Sequence, residues 1–409
     1  MTTMMNDRRS FTRRLAAAGG AIEKPILALR RRLHQFPEIS NREFRTTLTL
    51  KREFERLGLT VHASLAPTGV WADLDSGRPG PTVAIRADID ALAVTEESGL
   101  PYASKITGLM HACGHDVHMA VLVGTARLLT KFRADLIGRV RFIAQPAEEQ
   151  PPGGARPLID AGVLKNPPVD VILALHVDPA LPVGSIGVRD GVNFVAVHDF
   201  DIRVIGRAAH AAFPHRAVDA LAVAAEIISG LQQVVSRHID PIHPAVVTLG
   251  TIRGGQARNI IAGEVFIEGT ARSLDPAVTR KMPGLIRKIA VGIGRGLGAR
   301  VEVIPRGAYP PLRCDPKVNA RVAGAFRALY PGGRIGVPSL VMGSEDFACY
   351  LDHIPGAMFR LGVANKAIGA DKPWHHPAFM VDERAIRIGY STMALTAAGL
   401  LHDWPGEAL

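Results

Sequence analysis

The chain is predicted to be an α/β protein: a discontinuous domain with a mixed central sheet flanked by helices, split by an inserted ferredoxin-like α+β domain. Three observations lead there. Up to about residue 190, short apolar runs bounded by turn residues alternate with helical segments, the texture of a sheet buried on both faces. From about Val192 the period changes, and Phe200, Ile202 and Val204 alternate with polar residues, as in a strand with one wet face. After Pro305 the α/β texture returns. The expected segments are 1–190, 191–304 and 305–409.

In chain order, a helix is expected over Ile26 to Gln35, ending before Phe36-Pro37, and a second over Asn41 to Leu57 with Gly58 as its stop. Strands follow at Val61 to Leu65, Gly69 to Leu74 and Thr82 to Ala87. A helix is expected over Val117 to Leu129, then strands at Val140 to Ala144 and Val171 to Leu175. In the middle domain, Leu221, Ala224, Ala225, Ile228, Leu231 and Val235 form an apolar stripe at helical spacing. Strands at Val246 to Ile252, Val265 to Arg272 and Arg300 to Ile304 enclose a helix started by Asp275-Pro276, with Pro283 inside it as a kink. The order β-α-β-β-α-β is that of a ferredoxin-like sandwich.

At 409 residues the chain exceeds one ordinary core, and 47% hydrophobic with 21% charged residues marks it as globular. The net charge of +10 comes from 48 basic and 38 acidic residues, with much of the excess before residue 55. Aromatics are only 5%, and no basic region, zinc finger or RNA-binding pattern accompanies the charge, so a nucleic-acid partner is not expected. No run approaches the length of a membrane span. Arg8-Arg9-Ser10-Phe11 before Leu15 to Gly20 superficially resembles a twin-arginine export signal; the apolar part is short and Glu23-Lys24 interrupts it, which favours an amphipathic leader running into the first helix. Three cysteines, Cys113, Cys314 and Cys349, form no disulfide framework and fit a reducing, cytoplasmic compartment.

The chemistry concentrates in His111-Ala112-Cys113-Gly114-His115-Asp116-Val117-His118, which packs three imidazoles, a thiol and a carboxylate into eight positions. All are side chains that hold divalent transition metals. Cys113 and His115 can reach one ion or two adjacent ions, whereas Asp116 and His118 suit the orienting of ligands. Gln145-Pro146-Ala147-Glu148-Glu149 follows a buried strand; if one carboxylate binds a cation, the other can take a proton from activated water. Alone, the pair reads better as a solvated loop start. Likewise His176, ending an apolar strand, reads alone as a satisfied core histidine, and Trp374-His375-His376-Pro377 is a weak signal. Together these segments supply a thiolate, imidazoles and a carboxylate, enough for a two-metal site. In the middle domain, His210 stands among small residues that let a ligand approach, and Asn259 and Arg272 are further polar candidates, arginine being the preferred bidentate binder of a carboxylate; from pattern alone all three read as surface residues.

With these motifs assembled, the chain resembles the dinuclear metallohydrolase superfamily of aminoacylase and carboxypeptidase G, in its amidohydrolase branch of hippurate, N-acyl-amino-acid and indole-acetyl-amino-acid hydrolases. The likeness runs from about Arg30 to Leu400 and includes Arg31-Arg32-Leu33-His34 with Pro37-Glu38, Arg86-Ala87-Asp88-Ile89-Asp90, the cysteine motif, the Glu148-Glu149 pair, His210 to His215, Gly343 to Phe347 and His375 to Phe379. The resemblance implies that Cys113, His115, Glu149, His176 and His375 bind two divalent ions per subunit (manganese, zinc, cobalt or nickel), with Glu148 as general base and acid. It implies that Asp88 supports the metal centre, although Arg86 stands where sister branches carry a histidine ligand. It further implies that the inserted domain serves dimerisation and lid closure in a homodimer or tetramer. His210 would then reach the neighbouring active site, and Asn259 and Arg272 would bind the substrate carboxylate. Alanines at Ala93 and Ala262 replace customary prolines, and Pro151-Pro152 reshapes the usual glycine-rich stretch, so substrate preference is not carried over. The implied activity is hydrolysis of an N-acyl amino acid. The rivals are a dipeptidase, aminopeptidase or N-carbamoyl-amino-acid hydrolase of the same superfamily, and a non-catalytic binding protein on this fold.

Overall fold

The computed structural model describes residues 2–62 and 67–404, with side chains from residue 9 onward. Two compact units emerge: residues 1–191, 313–339 and 349–409 form one, and residues 192–312 with 340–348 the other.

The first unit is built on a mixed sheet. Edge to edge its strands are Thr60–His62, Val70–Asp75, Arg139–Gln145, Thr82–Asp88, Val171–Pro182, Gly356–Ala364, Ser185–Gly187 and Arg334–Gly336. Of the strand expected at Val61 to Leu65, positions 63–65 lie outside the described residues. The four central strands run parallel, and antiparallel pairings flank them. Parallel pairing brings their carboxyl ends to one edge, where open α/β sheets collect ligands. Asp88 pairs with Gln145, and Arg86 with Ala174, so Asp88 comes level with His176; on its other side His176 faces Arg360. The Val171 strand runs on to Pro182, so His176 lies inside it and not beyond its end. Pairing with Gly356–Ala364 continues past the histidine and sustains the extension.

Helix His115–Lys131 packs against helices Thr2–Gln35 and Arg384–Asp403, and almost every one of its residues is buried. That explains why its sequence lacks a polar face. The first helix spans Thr2–Gln35, far beyond the expected Ile26 start, with Pro25 inside it. Tertiary contacts compensate the breakers: Leu15 and Ile26 are buried, and the Gly19 carbonyl accepts the Tyr390 hydroxyl at 2.8 Å. The second helix starts at Phe44, later than expected, and ends at Arg56.

The second unit has an antiparallel sheet in the order Ala245–Gly254, Glu264–Ser273, Ala196–Ile205, Arg300–Tyr309. Helices Ala220–Leu231 and Pro276–Gly296 supply Val223, Ala224, Ile227, Met282 and Ile286 to a core with Phe200, Ile202, Val204, Val265 and Ile267. The apolar stripe expected at Leu221 and Ala225 is turned: Ala220, Val223, Ala224, Ile227, Leu231 and Val234 are buried, while Leu221 and Ala225 are exposed. Every residue of Leu221-Ala222-Val223-Ala224-Ala225 is apolar, so spacing alone does not choose the face. Strand Arg300–Tyr309 also passes the expected boundary at residue 304. It is an edge strand with a register shift between Pro305 and Gly307, the two circumstances in which a sheet tolerates proline. Among the described residues no helix is long and apolar enough to cross a membrane.

Candidate metal centre

Five donors from four chain segments converge in the first unit. Cys113, His115 and His176 bring one ligand atom each within 4.8 Å of one another, and so do Cys113, Glu149 and His375. A further group with the same spacing joins His115 to Glu148 and Glu149. Cys113 is shared by the first two groups, as a donor between two ions would be. Its Sγ lies 3.5 Å from His176 Nε2, and Glu149 Oε1 lies 3.8 Å from His115 Nε2 and 3.5 Å from His375 Nε2.

Local backbone geometry produces this clustering. Gly114 caps helix His115–Lys131 at φ +86°, and a Cβ there would meet Val177 Cγ2 at 2.5 Å. Both facts demand glycine, and the sharp turn aims Cys113 and His115 at the same space. Ala147 takes φ +52° just before Glu148, and its N–H donates to Glu43 at 2.8 Å. A Cβ on Gly154 would meet the Pro146 carbonyl oxygen at 1.9 Å, so the chain closes tightly around the Glu148-Glu149 turn. His375 sits at φ +65° with its N–H on the Ala112 carbonyl at 2.9 Å, next to Cys113.

The surroundings orient these donors. His115 Nδ1 lies 2.9 Å from the Asp90 carbonyl oxygen and 3.2 Å from its carboxylate, which leaves Nε2 facing the site. Asp90 also accepts from the Glu149 N–H at 3.0 Å and from Ser40 at 2.7 Å. His118 donates from Nδ1 to Asp88 at 2.6 Å and accepts the Val177 N–H at Nε2 at 3.0 Å, so both its ring nitrogens are engaged. Arg86 donates to Asp88 at 2.7 Å and to Gln145 at 2.9 Å. His34 bridges Asp116 at 2.8 Å and Glu96 at 3.0 Å, and Asp116 also meets Arg30 at 2.8 Å. His111 is buried.

The donor chemistry fits divalent ions. His115 Nε2 and Glu149 Oε1 are buried and make no hydrogen bond, an expensive arrangement unless something positive lies between them. Burial pushes the Cys113 thiol well up, and the charges of Glu149, Glu148 and Asp88 push it further. Burial opposes charge on His115, yet Asp88, Asp90 and Glu149 raise it to about 10. Burial, His118 and Arg360 hold His176 well below its ordinary value, as a neutral imidazole ligand requires.

Residues 84–398 match the model of peptidase family M20/M25/M40. The chain belongs to this family. It is 39% identical to the N-acetyl-L-cysteine deacetylase of Bacillus subtilis over 89% of this chain and 85% of that protein. It is 40% identical to an N-acyl-L-amino acid amidohydrolase of Geobacillus stearothermophilus over 71% of this chain and 78% of that one. Its fold matches a crystal structure of a Bacillus subtilis dinuclear metal-binding peptidase of the M20 family, with TM-score 0.78 and 36% identity over 94% of this chain and 99% of that one.

The structure places Glu148 beside His115 and Glu149, and Asp88 at 3.7 Å from His115 Nε2, bound to His118 and Arg86. His210, Asn259 and Arg272 fall in the second unit. There His210 is exposed, its strand pairs with Ile260–Ile261, and the Asn259 carbonyl accepts the Ala211 N–H at 2.9 Å. Arg272 donates to the Met342 carbonyl at 2.7 Å. Sequence reasoning gave no role to Asp90, Glu43 or Glu96. For Asp90 a signal existed: it stands two residues after Asp88, just beyond a buried strand.

Proposed function

We propose that this metal-dependent amidohydrolase cleaves the amide bond of N-acyl amino acids to a carboxylic acid and a free amino acid. The observation that carries the reading is the pair of donor groups, Cys113–His115–His176 and Cys113–Glu149–His375, sharing one thiol beside Glu148. Cys113, His115, Glu149, His176 and His375 would hold two divalent ions of manganese, zinc, cobalt or nickel. Bound there, such ions supply Lewis acidity to a carbonyl and to water. Glu148, at the mouth of this group, takes the proton of the attacking water and later delivers it to the leaving nitrogen. Asp88 keeps the cluster in place through His118 and so acts on the chemistry indirectly.

The second unit is read as a ferredoxin-like insertion that serves as lid and dimerisation domain. Its strand order and its exposed edge strand Ala245–Gly254 support this. In a homodimer or tetramer His210 would polarise the scissile carbonyl of the neighbouring subunit, while Asn259 and Arg272 hold the substrate carboxylate. The free, buried cysteines suit a reducing cytoplasm.

The test joins metal analysis to a panel of N-acyl amino acids, dipeptides and N-carbamoyl amino acids. Two ions per chain and preference for the acylated series are expected. Preference for dipeptides or carbamoyl compounds would replace the substrate class. Glu148→Gln should keep its metal and lose nearly all turnover; mixing it with His210→Ala should restore some activity if the histidine acts across a dimer.

A further inference from the structure

The carbonyl of Val177 accepts two side-chain donors: His176 Nδ1 at 2.8 Å and the indole Nε1 of Trp374 at 3.0 Å. The Trp374 ring also stands edge-on to the His176 ring, with centroids 5.1 Å apart. The buried Arg360 guanidinium lies 5.3 Å from the Trp374 centroid, and Arg360 is the residue opposite His176 in the parallel pair of strands. One indole therefore meets the ring of His176, the main chain of the next residue and the cross-strand neighbour of the same histidine. Trp374 is also joined by a single peptide bond to His375. That residue adopts φ +65°; its N–H is held by the Ala112 carbonyl and its Nε2 lies 3.5 Å from Glu149, while its side chain is 53% exposed.

We infer that Trp374 is a positioning residue that ties the loop bearing His375 to the strand bearing His176, and so fixes the spacing of the two metal positions. The inference rests on the reading of both histidines as ligands. Three contacts define its action. The indole N–H holds the loop to Val177. The ring edge holds the His176 plane, whose tautomer is already set by the bond from Nδ1 to Val177. The Arg360 cation, 5.3 Å from the ring centroid, favours the indole staying in place. Without the indole, His176 keeps its own bond to Val177, and its ion should be held nearly as before. The loop of His375 loses its tie to Val177 and keeps the main-chain anchors at Ala112 and Pro377, so its ion should be held more weakly. Partners that orient ligands are worth about 10–100-fold in metal affinity.

The measurement is a titration of the metal-free, full-length protein with cobalt(II), followed by its thiolate and ligand-field absorption and resolved into two binding steps. Trp374→Ala should weaken one step about tenfold or more and leave the other within about twofold. Trp374→Phe keeps a ring but no N–H donor and should weaken the same step by a smaller factor. Wild-type affinity at both steps, or an equal loss at both, overturns the inference. Should Trp374→Ala fail to fold, Trp374→Phe decides, and an unchanged titration overturns it. His176→Ala and His375→Ala test the underlying reading separately: each should lose one ion. If both still bind two ions, the ligand assignment fails; if they lose ions while the Trp374 variants do not, only the role of Trp374 fails.

Discussion

Asp90 grips the imidazole of His115 twice, its main-chain carbonyl oxygen 2.9 Å and its carboxylate 3.2 Å from the same Nδ1. The second carboxylate oxygen binds the Glu149 N–H at 3.0 Å. One side chain thus orients two donors that come from different segments. Asp90→Ala leaves the carbonyl contact but frees the carboxylate's partners, so metal affinity should fall about 10–100-fold. Chelator competition against the wild type measures this, and unchanged affinity would show that the carbonyl alone suffices.

Gly114 separates Cys113 from His115 at φ +86°, with the space of a Cβ taken by Val177. Gly114→Ala adds a steric clash to the cost of a left-handed backbone, which is itself about 1–2 kcal/mol. Gly162 provides the control, since it has φ +92° and nothing within 4 Å of a built Cβ. Gly162→Ala should lower stability by the backbone cost alone. Gly114→Ala should lower it further and also reduce bound metal, as read by denaturant midpoints and metal content. Equal effects of the two substitutions would remove the steric argument.

His34 lies between two carboxylates and can donate to both only as an imidazolium. Burial opposes that charge, but Asp116 and the hydrogen bonds to Asp116 and Glu96 win, and the pKa is raised. A raised pKa in the folded state means that the stabilisation is complete below the unfolded value of about 6.5 and is lost as pH rises through the folded one. Each unit of difference is worth about 1.4 kcal/mol. The stability gap between wild type and His34→Ala should therefore narrow from pH 6 to pH 9. A gap that is constant or widens would contradict a charged His34.

Much of the site was legible because metal ligands are few in kind. Cys113, His115 and the Glu148-Glu149 pair stand out as residue types at strand and helix ends, and the resemblance singles out His176 and His375; the fold brings all six together. Asp88, Asp116 and His118 were legible as supporting groups, but the partners of such groups were not, because they are remote. Asp90 meets His115 from 25 residues away, and His34 meets Asp116 across 82. No spacing rule encodes such pairings. The first helix was misjudged for a related reason. Gly19, Gly20 and Pro25 are local breakers, but the contact of Gly19 with Tyr390 belongs to a helix more than 360 residues later. The turned stripe at Leu221 shows the opposite limit, where too many apolar neighbours leave the face undetermined.

Metal binding should be strongly coupled to protons. In the metal-free protein Cys113 is a thiol, since burial and the carboxylates of Glu149, Glu148 and Asp88 raise its pKa well above the ordinary value. His115, at about 10, is an imidazolium near neutral pH. Ligation requires the thiolate and a neutral imidazole, so both protons must leave. Loading the two ions at pH 7 should release about two protons per chain, and apparent affinity should climb steeply with pH. Calorimetry in buffers of different ionisation enthalpy counts the protons directly. Cys113→Ser replaces a thiol by a hydroxyl that keeps its proton far more firmly, and should both weaken binding and reduce the count by about one. Release of no protons by the wild type would mean that Cys113 and His115 are already deprotonated before the metal arrives.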